Sequence, residues 1–215
     1  MKGYLIIVLS AILFISGCDR TLNKESLVIE DNSHYNVYYE IANGKLNLIS
    51  GRVTIKNKYG GYYKGSLSDG RQDGLWKLYS SEGGIENEEN YKHGYRNGLW
   101  KEYYSNGNLS RVGSYNYGLQ DGLWKEYYFD GQLLEEQIYK LDQPNGIWRR
   151  YFKNGMVWSE ISYKDGVRNG LWKEYYNNGQ LKFEVNYKNG QRDGPWKEYV
   201  IKKEWEYKNG MLKLE

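Results

Sequence analysis

Six tryptophans, Trp76, Trp100, Trp124, Trp148, Trp172 and Trp196, stand 24 residues apart with nothing inserted or lost between them. A fixed period in the twenties means one supersecondary unit repeated in tandem, each burying its apolar face only by stacking on its neighbours. The cleanest copies are Gly98-Leu99-Trp100-Lys101-Glu102-Tyr103-Tyr104, Gly122-Leu123-Trp124-Lys125-Glu126-Tyr127-Tyr128 and Gly170-Leu171-Trp172-Lys173-Glu174-Tyr175-Tyr176. With Trp as position 0, position −2 is Gly in every unit (Gly74, Gly98, Gly122, Gly146, Gly170, Gly194) and position 7 in nearly all (Gly83, Gly107, Gly131, Gly155, Gly179). That glycine density excludes a helical unit.

Alternation then sets the unit out as a β-hairpin. Positions 0 to 4 read as one strand, Asn-Gly or its variant at 6 and 7 as a turn, and positions 9 to 15 as the return strand. A Gly-x-Arg-(Asn/Asp)-Gly stretch reverses the chain again. A four-residue loop pairs position 4 with 9, 2 with 11, 1 with 12 and 0 with 13. Positions 1 and 12 are then Lys77–Glu88, Lys125–Glu136, Arg149–Glu160 and Lys173–Glu184, with Lys101–Val112 the exception. Opposite charges directly across a strand pair support that register. It puts Trp172, Tyr176, Leu181, Phe183, Val185 and Tyr187 on one face, and Leu171, Lys173, Tyr175, Lys182 and Glu184 on the other. The expectation is an all-β chain: an elongated single-layer meander of about twelve antiparallel strands in tandem 24-residue hairpins.

The ends are different in kind. Met1-Lys2, an apolar run from Tyr4 to Ile15 and Ser16-Gly17-Cys18 describe a secretory signal over 1–17. The run falls short of the roughly 20 apolar residues of a spanning helix. Ile15-Ser16-Gly17-Cys18 resembles the lipobox of bacterial lipoproteins, which implies cleavage before Cys18 and acylation there, palmitate included. Such chains exceed the two signals that stable membrane attachment takes. Asp19 resembles an inner-membrane retention signal of some Gram-negative bacteria. Cys18 is the only cysteine, so no disulfide forms within the chain. Residues 18–34 read as the lipidated N-terminus and a polar tether, 35–70 as worn N-terminal repeats acting as a cap, and 71–215 as the tandem repeats. After Trp196 the next Tyr-Lys-Asn-Gly begins at Tyr207, early enough to predict a shortened C-terminal hairpin.

A formal net charge of +3 with 27% charged residues gives no electrostatic case for a nucleic-acid partner. The aromatic content, 24 Tyr and 8 Trp against 4 Phe, suits broad half-wet surfaces more than a thick dry core.

Gly-Leu-Trp-Lys-Glu-Tyr-Tyr-x-Asn-Gly-x-Leu, closing in Tyr-Lys-x-Gly-x-Arg-(Asn/Asp)-Gly, resembles the MORN-repeat variant of many bacterial proteins, among them YwqK-type antitoxin and immunity proteins. The resemblance covers Asp69 to Gly210 well and Tyr35 to Ser68 poorly. It implies a run of hairpins serving as a binding or scaffolding module, with no shared catalytic residues.

Candidate sites follow from the repeat. The six tryptophans read first as a structural aromatic ladder, and otherwise as platforms for sugars or a cationic head group. Glu102, Glu126, Glu174 and Glu198 recur once per unit on the Trp face, as a structural position does and a single active site does not. His34 and His93 are the only histidines, and no metal-ligand spacing, cofactor motif or catalytic constellation is found. Tyr79, Tyr103, Tyr127, Tyr151, Tyr175 and Tyr199 form the expected contact row, since Tyr is enriched at interfaces. The expected protein is therefore a non-enzymatic lipoprotein of the bacterial envelope, facing periplasm or exterior, that binds a protein such as a toxin or an envelope complex. The alternative is a glycan- or choline-binding module.

Overall fold

The computed structural model describes residues 20–21, 27–32, 35–42, 45–200, 207–208 and 211–212. The segment expected to be a signal, Cys18 and His34 lie outside them. Every regular element among the described residues is a strand. From Gly51 to Glu198 the chain meanders through sixteen strands of one 17-stranded sheet, each segment of an interrupted strand counted separately; Arg20–Thr21 is the seventeenth. Consecutive strands pair antiparallel throughout, from Gly51–Lys56 on Tyr62–Ser68 to Leu181–Lys188 on Lys197–Glu198.

Two kinds of turn alternate. At positions 17 and 18 the pairs His93-Gly94, Tyr117-Gly118, Asp165-Gly166 and Asn189-Gly190 make two-residue turns, with φ of 47–52° at the first residue. That primed turn matches the twist of its strands. Leu141-Asp142 makes the same turn without glycine. At positions 5 to 7 the loop closes on a glycine with φ of 80–88°. In the Trp172 unit Gly179 N donates to Tyr176 O at 2.9 Å, and Tyr176 N to Gln180 O at 2.8 Å.

The inner register is as expected: Trp172 faces Val185, Lys173 faces Glu184 and Glu174 faces Phe183. Beyond it the pairing slips. Tyr175, not Tyr176, lies opposite Leu181, across a β-bulge at Lys182, and the equivalent slip recurs at the other hairpins. The glycine at position 7 selects a three-residue loop where four were expected. Position 9 therefore moves to the tyrosine side, so Leu181 leaves the Trp face. The bulge turns position 10 the other way: Lys182 lies 3.8 Å from Glu174, and Trp158 packs on Phe152. Gly at −2 is not a turn residue either. Gly74, Gly98 and Gly170 sit inside a strand and Gly122 and Gly146 begin one, at φ of 76–106°, an irregularity between the tight turn and Trp.

The stretch expected to be a tether holds structure. Leu27–Asn32 pairs with Tyr35–Ala42, which pairs with Lys45–Leu48 in a separate three-stranded sheet. Leu27-Val28-Ile29 supplies an apolar run with two β-branched residues that its polar neighbours obscure. Arg20–Thr21 adds in parallel to Gly51–Lys56, covering an edge that would otherwise be open. The small sheet docks on the repeats: Tyr38 N donates to Gly70 O at 2.7 Å. Tyr38, Ile49, Val53, Ile55, Leu67 and Trp76 form one buried cluster, so the single layer becomes two at this end. The 35–70 region divides between the two sheets. Tyr207–Lys208 pairs with Met211–Leu212; the shortened hairpin expected between Trp196 and Tyr207 runs through residues that lie outside those described.

Candidate functional site

The Trp face is a run of tilted and edge-on ring contacts, unbroken from Trp100 to Tyr163. Ring centroids lie 5.4 Å apart for Trp100–Trp124, 5.1 Å for Tyr115–Trp124, 5.2 Å for Tyr139–Trp148 and 4.8 Å for Trp148–Tyr163. Arginines cap it: Arg111 lies 4.8 Å over Trp124 and Arg168 4.9 Å over Trp172. Burial is graded along the ladder. Trp76, Trp100 and Trp124 are buried, Trp124 at 0% exposure; Trp148 and Trp172 are half-buried, and Trp196 is 46% exposed. The residue beneath each ring sets the packing. A Cβ on Gly113 would stand 2.1 Å from the Trp124 ring, and one on Gly65 2.2 Å from that of Trp76, so these two rings lie directly on backbone.

Where the small sheet meets the Trp face, a cavity of about 510 Å³ opens, lined by Tyr38, Tyr63, Trp76, Leu78, Asn87 and Glu89 among others. Its carboxylate is already paired. Glu89 accepts from the Tyr91 hydroxyl, from Arg96 Nε at 3.0 Å and from Trp100 Nε1 at 3.3 Å. Burial, then the Glu89 charge, pushes the Tyr91 hydroxyl well above its ordinary range.

Units are tied to one another at both margins of the sheet. On the loop side the position-4 hydroxyls reach one unit ahead: Tyr104 to Tyr127 O at 2.6 Å, Tyr128 to Tyr151 O at 3.0 Å, Tyr176 to Tyr199 O at 3.3 Å. On the turn side Gly118 N donates to Arg96 O at 2.8 Å, and Gly190 N to Arg168 O at 2.9 Å.

The outer face is built from three parallel rows. In the middle runs a column of alternating charge, Lys77, Glu88, Lys101, Val112, Lys125, Glu136, Arg149, Glu160, Lys173, Glu184 and Lys197, each residue in register with the next across the strands. To one side lie the position-3 tyrosines, and to the other Leu75, Leu99, Leu123, Ile147 and Leu171, each left 39–47% exposed. Lys77 holds the Glu88 carboxyl below the usual range. Burial opposes the same shift at Glu136 and Glu160, but Lys125 with Tyr151, and Arg149 with Tyr175, outweigh it. Burial and the bonded glutamates push Tyr103, Tyr151 and Tyr175 up to about 12.

The geometry on both faces comes from one motif repeated in register. Residues 72–93, 96–117, 120–141, 144–165 and 168–189 match the model of the MORN repeat variant, together just over half of the chain. The chain belongs to the MORN repeat variant family. No curated protein matches it.

Within the MORN array the expected tyrosine row is on the outer face but is less open than expected. Tyr103, Tyr127, Tyr151 and Tyr175 are half-buried, and only Tyr199 is exposed. Four of the hydroxyls donate to glutamates of the preceding unit: Tyr103 to Glu88, Tyr151 to Glu136, Tyr175 to Glu160 and Tyr199 to Glu184. Tyr79 stacks on Tyr62 at 4.8 Å. Tyr127 has Val112 in the glutamate's place. Of the position-2 glutamates, Glu126 pairs with Arg111 at 3.0 Å and Glu174 with Lys182 at 3.8 Å, while Glu102 accepts from Ser110 Oγ at 3.4 Å. Sequence reasoning passed over the aliphatic row at −1. Its signal was in plain view, an apolar residue before every Trp from Leu75 to Leu171, on the side that the alternation assigns to solvent.

Proposed function

We propose that this protein is a non-catalytic lipoprotein, anchored in the envelope membrane through acylated Cys18, whose MORN sheet binds a protein partner in the manner of an immunity or antitoxin-like factor. The observation that carries the reading is the aliphatic row. Leu75, Leu99, Leu123, Ile147 and Leu171 keep 39–47% of their surface exposed, one per unit on alternate strands. Ile138 joins Leu123 to Ile147, and Asn90, Ser114, Ser162 and Asn186 stand opposite Leu75, Leu99, Ile147 and Leu171. Exposed apolar residues grouped on one face within a polar surround mark protein-binding sites. The partner is a toxin or a component of an envelope complex.

The test is recovery of a partner from detergent-solubilised envelope, with Asp19 to Glu215 as bait. One protein recovered near one-to-one, and lost when Leu99, Leu123 and Ile147 are changed together to Ser in a bait with unchanged circular dichroism, is the expected result. Equal recovery by the triple variant removes the outer face from the reading. Anchoring is read separately: palmitate labelling of the wild-type chain should vanish in Cys18→Ser, and persistence of the label excludes that attachment.

A second reading is favoured by Trp196, which lies open on Phe183 at 4.4 Å with Arg192 5.3 Å over its ring. A sugar or choline head group stacked at this end of the ladder would change tryptophan emission on titration. A flat titration eliminates it.

A further inference from the structure

Four times along the outer column the sheet holds a carboxylate in the same frame. A cation at position 1 of its own unit, a cation at position 1 of the next, and the tyrosine at position 3 of the next surround each glutamate. Glu88 has Lys77 at 2.7 Å, Lys101 at 3.7 Å and the Tyr103 hydroxyl at 3.1 Å. Glu136 has Lys125 at 2.9 Å and Tyr151 at 2.8 Å, with Arg149 in register beside it. Glu160 has Arg149 at 2.8 Å and Tyr175 at 3.0 Å, with Lys173 beside it. Glu184 has Lys197 at 2.9 Å and Tyr199 at 3.3 Å, with Lys173 opposite.

The fifth frame is built and its carboxylate is missing. Lys101 and Lys125 stand in register on either side of Val112, and Tyr127 occupies the tyrosine place. Val112 is only half-buried, and its side chain carries no acceptor for either lysine or for the Tyr127 hydroxyl. The column as a whole carries Lys77, Lys101, Lys125, Arg149, Lys173 and Lys197 against only Glu88, Glu136, Glu160 and Glu184. The frame borders Leu99 and Leu123 of the aliphatic row.

We propose that the Lys101–Val112–Lys125–Tyr127 frame is a docking point for one carboxylate side chain of the protein partner, a glutamate or aspartate beside an aliphatic residue that rests on Leu99 and Leu123. The proposal rests on the protein-binding reading of this face and names the partner's chemistry there. The four intact frames supply the template: the same donors, at the same positions on the same sheet, hold a carboxylate wherever the chain provides one. Charge-assisted bonds of this kind give register and specificity more than raw affinity, so the acid would fix where along the sheet the partner sits.

The test uses the ¹⁵N-labelled full chain at low salt, titrated with N-acetyl-Leu-Glu-amide and separately with N-acetyl-Leu-Gln-amide. The Glu peptide should shift the Lys101, Val112, Lys125 and Tyr127 resonances saturably. The Gln peptide should bind at least tenfold more weakly, and so should the Glu peptide on a Val112→Glu chain, where the frame is filled from within. Added salt should weaken the response. Equal shifts by both peptides, shifts unchanged in Val112→Glu, or no shift at these residues would overturn the proposal. Shifts confined to the leucine row with either peptide would sink the carboxylate site and leave the protein-binding face standing. A partner lost on the triple serine change but retained by Val112→Glu would do the same.

Discussion

The two faces of this sheet are assembled from the same units but by opposite means. On the Trp face the period is kept at position 0, while the residue opposite changes, Glu89, Gly113, Gln137, Ile161 and Val185 in turn. Burial of the tryptophans follows instead the residue that the preceding strand places beneath each ring, Gly65 under Trp76 and Gly113 under Trp124, and the cover at the N-terminal end. On the outer face the contacts repeat almost without change and stay half-wet. The difference shows where a repeat protein keeps its stability and where it keeps its surface: in desolvated aromatic area on one side, in a shallow patterned lattice on the other.

If that division is right, the largest losses come from the Trp face. Trp124→Ala removes a fully buried ring that touches Trp100, Tyr115 and Tyr139, and should cost about 3–5 kcal/mol in urea unfolding. A cost below about 1 kcal/mol would refute the central place given to this ring. Gly113→Val is the sharper probe, because it adds atoms rather than removing them. With 2.1 Å between a Cβ there and the Trp124 ring, the ring or the strand must move, at about 1–3 kcal/mol. The same change at Gly107, where nothing lies within 4 Å of a Cβ, acts only through its positive φ.

Acid tests the outer face as a whole. Glu88, Glu136, Glu160 and Glu184 all have their folded values lowered. Their contribution is present above the ordinary carboxylate range and is lost as pH falls through the depressed values, so stability should decline from about pH 5 downward. Individually, half-exposed ion pairs are worth about 0–1 kcal/mol, which keeps the effect below that of the Trp face. A chain equally stable at pH 7 and pH 3 would mean that the column contributes nothing.

How far the sequence alone could reach follows the same division. Positions 0, 1 and 12 were legible because aromatic identity and charge repeat there, position 13 followed from their register, and the structure keeps that pairing. The slip at position 10 was not. Three- and four-residue loops differ by one residue, and only the left-handed glycine at position 7 decides between them. Leu27–Asn32 was hidden because Glu30-Asp31-Asn32 interrupts its alternation, and its partner strand has no Trp. The graded burial of Trp76 to Trp196 depends on which residue another strand places under each ring, and on a small sheet folding over one end. The leucine row was visible as letters but not as a surface, since Gly-Leu-Trp reads first as the approach to Trp.

The finest distinction is between frames on the outer face that hold a carboxylate and the one that does not. Val112→Glu should stabilise the chain by about 0.2–1 kcal/mol, because Lys101 and Lys125 already flank the new acid. Glu136→Val should cost a similar amount, since it leaves Lys125 and Tyr151 without their acceptor. Paired in one background, the two changes move the gap one unit along the column with little net effect on unfolding. If the gap only records a tolerated loss, the doubly changed chain should behave as the original in every respect. If it is the partner's register mark, partner binding should fall although stability does not, because the acid-accepting frame has moved 24 residues down the repeat while Tyr127 and its neighbours have stayed in place.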